Sequence, residues 1–220
     1  MNDRLKTSVS KRTAAGVFLL WLLHLSGLIG IAAGAADWFI PKTPLNLVVT
    51  TLIFFSIFPL NSFRKTGFTV FVFAVGMTAE WIGVHTGYLF GTYSYGENLG
   101  PRLDGIPYLI GFNWAILSLA SGSLSDGWKV PKPVRIGIGA LIMVGLDFFI
   151  EGVAPLMDLW TFRGGAPPVW NYVCWFGLAL FFQWVYQRSG ISGNRTISLH
   201  LIGVQLVFFI FLNVLFPGHL

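Results

Sequence analysis

Charge is what this sequence has least of. Of its 220 residues only 10% are charged and nine are acids, against about 25% charged residues in soluble globular proteins, which nearly excludes a water-soluble fold. Cysteine is almost absent too. Cys174 stands alone, so neither an intrachain disulfide nor a thiolate metal cage is available, and redox chemistry says nothing about compartment. HExxH, GxxxxGK[ST] and GxSxG do not occur, which leaves zinc-protease, P-loop and hydrolase-elbow chemistry without an anchor. No self-similarity recurs at a fixed period.

What is present is apolar: 55% of residues, with a mean hydropathy of +0.71. A bilayer core about 30 Å thick needs roughly 20 such residues per helical crossing. Runs bounded by charge, Pro or Gly cover Ala14–Ile40, Leu45–Leu60, Gly67–His85, Ile106–Leu124, Val134–Val153, Trp170–Tyr186 and Ile197–Phe216. The expected fold is therefore an all-α polytopic transmembrane helix bundle of about seven spans, forming a single integral-membrane domain over residues 1–220. The first run, with its basic start and Ala33-Gly34-Ala35, also resembles a cleavable signal peptide; its apolar stretch exceeds the ~7–15 residues usual there, so a retained helix is expected.

Cations orient the bundle. Arg4, Lys6, Lys11, Arg12, Arg64, Lys65, Lys129, Lys132, Arg135, Arg188 and Arg195 fall on one side of seven spans, and Lys42, Arg102 and Arg163 on the other. Because cytoplasmic loops retain Lys and Arg, the N-terminus is expected inside and the C-terminus outside. The net charge of +5 is explained by anionic lipid at the membrane surface, and no nucleic-acid partner is expected.

Three acids, Glu80, Asp147 and Glu151, lie well inside apolar runs, where an ionised side chain costs about 2.5–3.5 kcal/mol on insertion scales and is usually functional. Asp37 lies near the outer end of the first run, within reach of the interface. Asp147 and Glu151 share a helix face with Gly137, Ala140, Val144 and Ala154, while Glu80 sits in a stripe with Gly76, Gly83 and Gly87. Two such stripes suit a groove for a long thin apolar ligand with carboxyl groups near its end; tight helix packing is the plainer reading of the glycines. His85, five positions after Glu80, is expected close enough to share its site though not its face. His24 and His200 read as packing residues, and Asn113 as a helix-to-helix hydrogen bond. The stretch Thr86–Gly105 is too long for a minimal connector, and Tyr88, Tyr93 and Tyr95 suit an interface. A second irregular connection carries Pro155, Asp158, Trp160, Pro167 and Pro168. Both loops and all three acids are expected at one end of the bundle. The Asp147-x3-Glu151 spacing also suits Mg²⁺ binding as in membrane prenyltransferases, but no second Asp-rich motif accompanies it.

Glu80-Trp-Ile-Gly-Val-His-Thr-Gly-Tyr-Leu-Phe-Gly-Thr-Tyr-Ser-Tyr95, followed by Leu99-Gly-Pro, Gly105-Ile-Pro and Asn113-Trp114, resembles the integral-membrane carotenoid biosynthesis family that includes the acyclic carotenoid 1′,2′-hydratases. Asp147-x3-Glu151, Pro155, Trp160, Pro168, Asn171 and Trp175-Phe176 resemble its downstream motif, so the motif-bearing region spans residues 70–180. Phe162 departs from the pattern, which has a second Trp after Trp160. The resemblance implies addition of water to the terminal double bond of an acyclic carotenoid drawn from the bilayer. A carboxylic acid protonates the alkene, water captures the tertiary cation, and a base takes the last proton. In those terms Asp147 and Glu151 form the acid pair, Glu80 orients water or acts as base, and His85 and Asp104 are second choices. Trp81, Tyr88, Tyr93, Tyr95, Asn113, Trp114, Trp160, Asn171 and Trp175 would bind the substrate, with aromatic faces stabilising the cation. The resemblance implies no metal, flavin or nicotinamide cofactor. It makes membrane lipid and other carotenoid-pathway enzymes the expected partners, in a bacterial or archaeal cytoplasmic membrane. Two non-enzymatic readings stay open: a small transporter using the acids as a proton or cation relay, and a scaffold that only holds carotenoid.

Overall fold

A computed structural model describes residues 10–217; Arg4, Lys6 and the three C-terminal residues lie outside the described part. Among the described residues the regular structure is helical apart from four short strands. Helix α1 covers Lys11–Ala32, α2 Ala36–Phe39, α3 Thr43–Ile57 and α4 Phe63–Thr86; α5 covers Tyr108–Ser125, α6 Lys132–Glu151, α7 Val169–Ser189 and α8 Arg195–Leu215. Strands β1 (Tyr93–Tyr95), β2 (Arg102–Leu103) and β3 (Ile106–Pro107) lie between α4 and α5, and β4 (Trp160–Phe162) lies between α6 and α7.

Helix ends follow local chemistry. The Ser10, Ser62 and Asn194 side chains accept from backbone N–H groups of the first turns of α1, α4 and α8, meeting donors that have no intrahelical acceptor. Gly87 and Gly190 close α4 and α7 in the left-handed conformation. The first apolar run is not one helix. It breaks at Ala33–Ala35, where Gly34 takes φ +89°, and restarts as α2 and a 3-10 turn over Ile40–Lys42 that leads into α3. Asp37 thus stands in the first turn of α2 and not at the end of the first span.

Among the described residues five helical segments are long and apolar enough to cross a membrane: α1, the continuous stretch Ala36–Ile57, α4, α6 and α8. Helices α5 and α7, of 18 and 21 residues, fall short in hydropathy, and their packing explains it. α5 is enclosed by α3, α4, α6, α7 and α8, so its Ser118, Ser121, Ser123 and Ser125 are buried against protein. α7 likewise buries Asn171, Gln183 and Gln187. A helix that faces other helices needs less apolar surface than one that faces lipid. The centre of the bundle is therefore α5, with α4, α6 and α7 on one flank and α1, α3 and α8 on another.

The two irregular connections meet. β1 and β4 pair antiparallel with Tyr93 opposite Phe162, Ser94 opposite Thr161 and Tyr95 opposite Trp160. Gly96 N–H donates to the Leu159 carbonyl at 2.8 Å, Asn98 Nδ2 to the Met157 carbonyl at 3.0 Å, and Glu97 N–H to Asp158 Oδ2 at 2.9 Å. Together they form a lid over the end of the bundle where α4 and α6 finish and α5 and α7 begin.

Candidate functional site: a carboxyl cluster under a two-stranded lid

Beneath the lid is a cavity of about 30 Å³ lined by Glu80, Asp147 and Glu151 together with aromatic and amide side chains. That is room for a water molecule and not for an isoprenyl group. The three carboxyls reach it from two helices, Glu80 from the last two turns of α4 and the other two from the last turns of α6. All three are almost fully buried, at 4%, 1% and 3% exposure.

Glu80 is held by three donors. Tyr93 and Tyr95 hydroxyls donate to its Oε2 at 2.5 and 2.7 Å, and Trp114 Nε1 donates to Oε1 at 2.9 Å. Burial first, and then the neighbouring Glu80 carboxyl, push the Tyr93 and Tyr95 phenols up, so both keep their protons and remain donors across the ordinary pH range. Glu151 accepts from Trp160 Nε1 at 2.7 Å and from Asn171 Nδ2 at 2.8 Å. Asp147 is different. Its Oδ2 is buried with no hydrogen-bond partner among the described residues, although it is the most buried of the three. Buried polar groups are normally satisfied, so an unpartnered carboxyl oxygen on a cavity wall sets Asp147 apart from the two glutamates.

Aromatic rings close the remaining walls. Trp114 and Trp175 stack with centroids 3.6 Å apart, and Phe162 lies 5.4 Å from Tyr93. The glycine stripe on α4 is explained by these rings and does not form an open groove. A Cβ at Gly76 would stand 3.0 Å from the Trp114 ring, and one at Gly83 would stand 2.8 Å from Tyr93 Oη. Each absent side chain lets a donor reach Glu80. On α6, Gly137 has open space around it, and the buried stripe runs instead through Gly139, Ala140, Met143, Asp147, Ile150 and Glu151.

Of the residues singled out from the sequence, Glu80, Tyr93, Tyr95, Asn113, Trp114, Asp147, Glu151, Trp160, Asn171 and Trp175 line this one cavity. Four do not. Trp81, His85 and Asp104 make a separate exposed cluster: Trp81 Nε1 donates to Asp104 Oδ2 at 2.7 Å, the His85 ring stacks on Trp81, and His85 Nε2 lies 3.6 Å from Asp104. The expectation that His85 shares the Glu80 site is corrected by helical phase, since five residues at about 100° each turn it about 140° away. Tyr88 is 78% exposed and is held through its backbone, its N–H donating to Thr86 Oγ1 at 3.1 Å and its carbonyl accepting from Trp170 Nε1 at 2.8 Å. Missed from the sequence were Phe90, Ile110, Ile150 and Phe162, all on the cavity wall. In the sequence Phe162 stands out only as a departure from the family pattern. Phe90 takes φ +65°, an unfavourable conformation for a bulky residue, and is 2% exposed; nothing local in the sequence signals it. Asp158, also at positive φ, joins the two loops and does not face the cavity.

Apolar helices around a buried carboxyl and aromatic cavity define a membrane protein with a built polar site at one end of its bundle. Within that class the chain belongs to the carotenoid biosynthesis protein family, whose sequence profile matches residues 43–218. Neither a curated protein nor a solved structure matches the chain.

Proposed function

We propose that the protein is a carotenoid hydratase, adding water to the terminal double bond of an acyclic carotenoid end group. The observation that carries this reading is the contrast among the three carboxyls: two have their lone pairs occupied by donors, and Asp147, beside a space the size of a water molecule, has none. In the proposed reaction Asp147 gives its proton to the less substituted alkene carbon, leaving a tertiary cation. Water adds to the cation, and the resulting oxonium gives a proton to Glu151, one helical turn away, from which it returns to Asp147. The sum is alkene plus water to tertiary alcohol, with no change in electron count. Glu80, fixed by three donors, orients the water, and the faces of Trp114, Trp175, Tyr93 and Trp160 stabilise the cation. The end group needs more space than the closed cavity offers, so the lid strands must part or their aromatic side chains must swing aside before reaction.

We further read the bundle as seven crossings, α5 and α7 included, with the N-terminus cytoplasmic and the carboxyl cluster at the outer end. The Lys and Arg asymmetry supports this orientation. A bacterial or archaeal cytoplasmic membrane is the proposed location, and other enzymes of the pathway are the proposed partners. The deciding experiment is expression in a lycopene-producing host with mass spectrometry of the pigments. A gain of one water per end group supports hydration. Unchanged pigment that co-purifies with the protein favours a scaffold, and proton flux in proteoliposomes favours a transporter.

A further inference from the structure

A second cavity shares no lining residue with the carboxyl cluster. This cavity of about 500 Å³ opens between α1, the Ala36–Ile57 stretch and α8, within the range of about 300–1,000 Å³ typical of small-ligand sites. Its wall is mostly apolar, and Trp38, Lys42 and Leu45 at its edge are exposed, with Lys42 Nζ 5.0 Å over the Trp38 ring. An amphipathic pair of this kind suits the level of lipid headgroups, so the cavity mouth opens where an apolar molecule can leave the bilayer.

Three polar side chains on this wall have unused hydrogen-bonding capacity. Gln205 is 6% exposed, and its Oε1 is buried without a partner among the described residues. His24 Nδ1 stands 2.8 Å from the Leu20 carbonyl and can only donate to it, which leaves Nε2 of the neutral ring as an acceptor. Asn46 Oδ1 accepts from Thr50, which leaves its amide donors free for the cavity. The other hydroxyls here are satisfied: Ser26 donates to the Leu23 carbonyl and Thr43 to the Ile40 carbonyl. A hydrocarbon filling this space would leave a buried amide unpaired.

We propose that this cavity is a binding site for an isoprenoid alcohol, its chain along the apolar wall and its hydroxyl donating to the unpartnered Gln205 Oε1 while accepting from Asn46. A hydroxyl is the smallest group that both donates and accepts, and the absence of a cationic side chain deep in the wall argues against a phosphate head. Leu23, Ile31, Leu47, Val49, Phe208 and Phe209 line the wall and suit a hydrocarbon chain, and its isoprenoid kind rests on the family's place in carotenoid biosynthesis. Occupancy is a binding property and stands whether or not the carboxyl cluster turns over a substrate.

The test is binding of geranylgeraniol to the full chain purified in detergent, read by native mass spectrometry, against a hydrocarbon of the same carbon skeleton. Loss of one buried hydrogen bond predicts about tenfold weaker binding of the hydrocarbon. Gln205→Leu should remove that preference by weakening the alcohol. Gly27→Leu should abolish binding of both, because its side chain projects into the cavity; a Cβ there makes only an ordinary 3.6 Å contact with Phe208, and the helix tolerates Leu better than Gly. Equal binding of alcohol and hydrocarbon overturns the proposal. So does displacement of the alcohol by phosphatidylglycerol, which would make this a site for bilayer lipid, or unaltered binding to folded Gly27→Leu protein. Hydration measured in the lycopene-producing host is a separate readout, so either result can fail without the other.

Discussion

Tyr95 on the connection between α4 and α5 faces Trp160 on the connection between α6 and α7 in antiparallel register, and each donates to a different glutamate: Tyr95 to Glu80 and Trp160 to Glu151, both at 2.7 Å. One strand pair therefore positions carboxyls from two helices. Opening the lid would release a donor from each carboxyl at the same time, coupling access to the site with its electrostatics.

If Asp147 is the proton donor, Asp147→Asn should lower hydration at least about a hundredfold, the scale of a lost general acid. Pigment mass spectrometry and membrane yield measured together check it. Because Asp147 Oδ2 has no partner to lose, the folded protein should accumulate as wild type does. Wild-type product levels would return Asp147 to a structural role.

Glu80→Gln and Glu151→Gln should also be inactive yet inserted. At Glu80 a Gln carbonyl can still accept from Trp114, while its amide donates to the tyrosine hydroxyls, which are able to reverse direction. At Glu151 the carbonyl can stay with Trp160 if the Asn171 amide flips. Thermal unfolding in detergent should show shifts of no more than about 1–3 kcal/mol in stability for each.

His85→Asn and Asp104→Asn should leave product levels within about threefold of wild type, since these side chains pair on the outer surface and surface ion pairs contribute at most about 1 kcal/mol. Loss of hydration in either variant would mean that the surface cluster takes part after all.

Gly83→Ala should be damaging although it removes no polar group. The added methyl meets Tyr93 Oη at 2.8 Å and the Leu89 carbonyl at 3.0 Å, and the latter is backbone that cannot swing away. An overpacking cost of about 1–3 kcal/mol is expected, with hydration falling as Tyr93 loses its hold on Glu80. Activity equal to wild type would show that the Tyr93 contact is dispensable.

Joining the lid strands should block the reaction reversibly. Ser94 and Thr161 are register partners, and Cα atoms opposite one another in an antiparallel pair are about 4.5–5.5 Å apart, within disulfide range. The Ser94→Cys/Thr161→Cys pair should be inactive when oxidised and recover with reductant. Undiminished turnover of the oxidised form would show that the end group reaches the cavity by another path.

The helices, the three buried carboxyls and their common end of the bundle were legible in the sequence because each depends on local information. Apolar run length, Pro and Gly punctuation, and an i,i+4 spacing such as Asp147 to Glu151 are properties of neighbouring residues. The family motifs likewise mark Tyr93, Trp114, Trp160 and Asn171 without reference to their contacts. Tertiary structure decided which donor serves which carboxyl, left Asp147 without one, turned Trp81 and His85 outward, and filled the α4 glycines with Trp114 and Tyr93. It also made the cavity beside Gln205, whose walls come from both ends of the chain. These outcomes depend on helical phase and on contacts between segments far apart in the chain, such as β1 with β4, and no local pattern of residues encodes which distant surface will fill a given space.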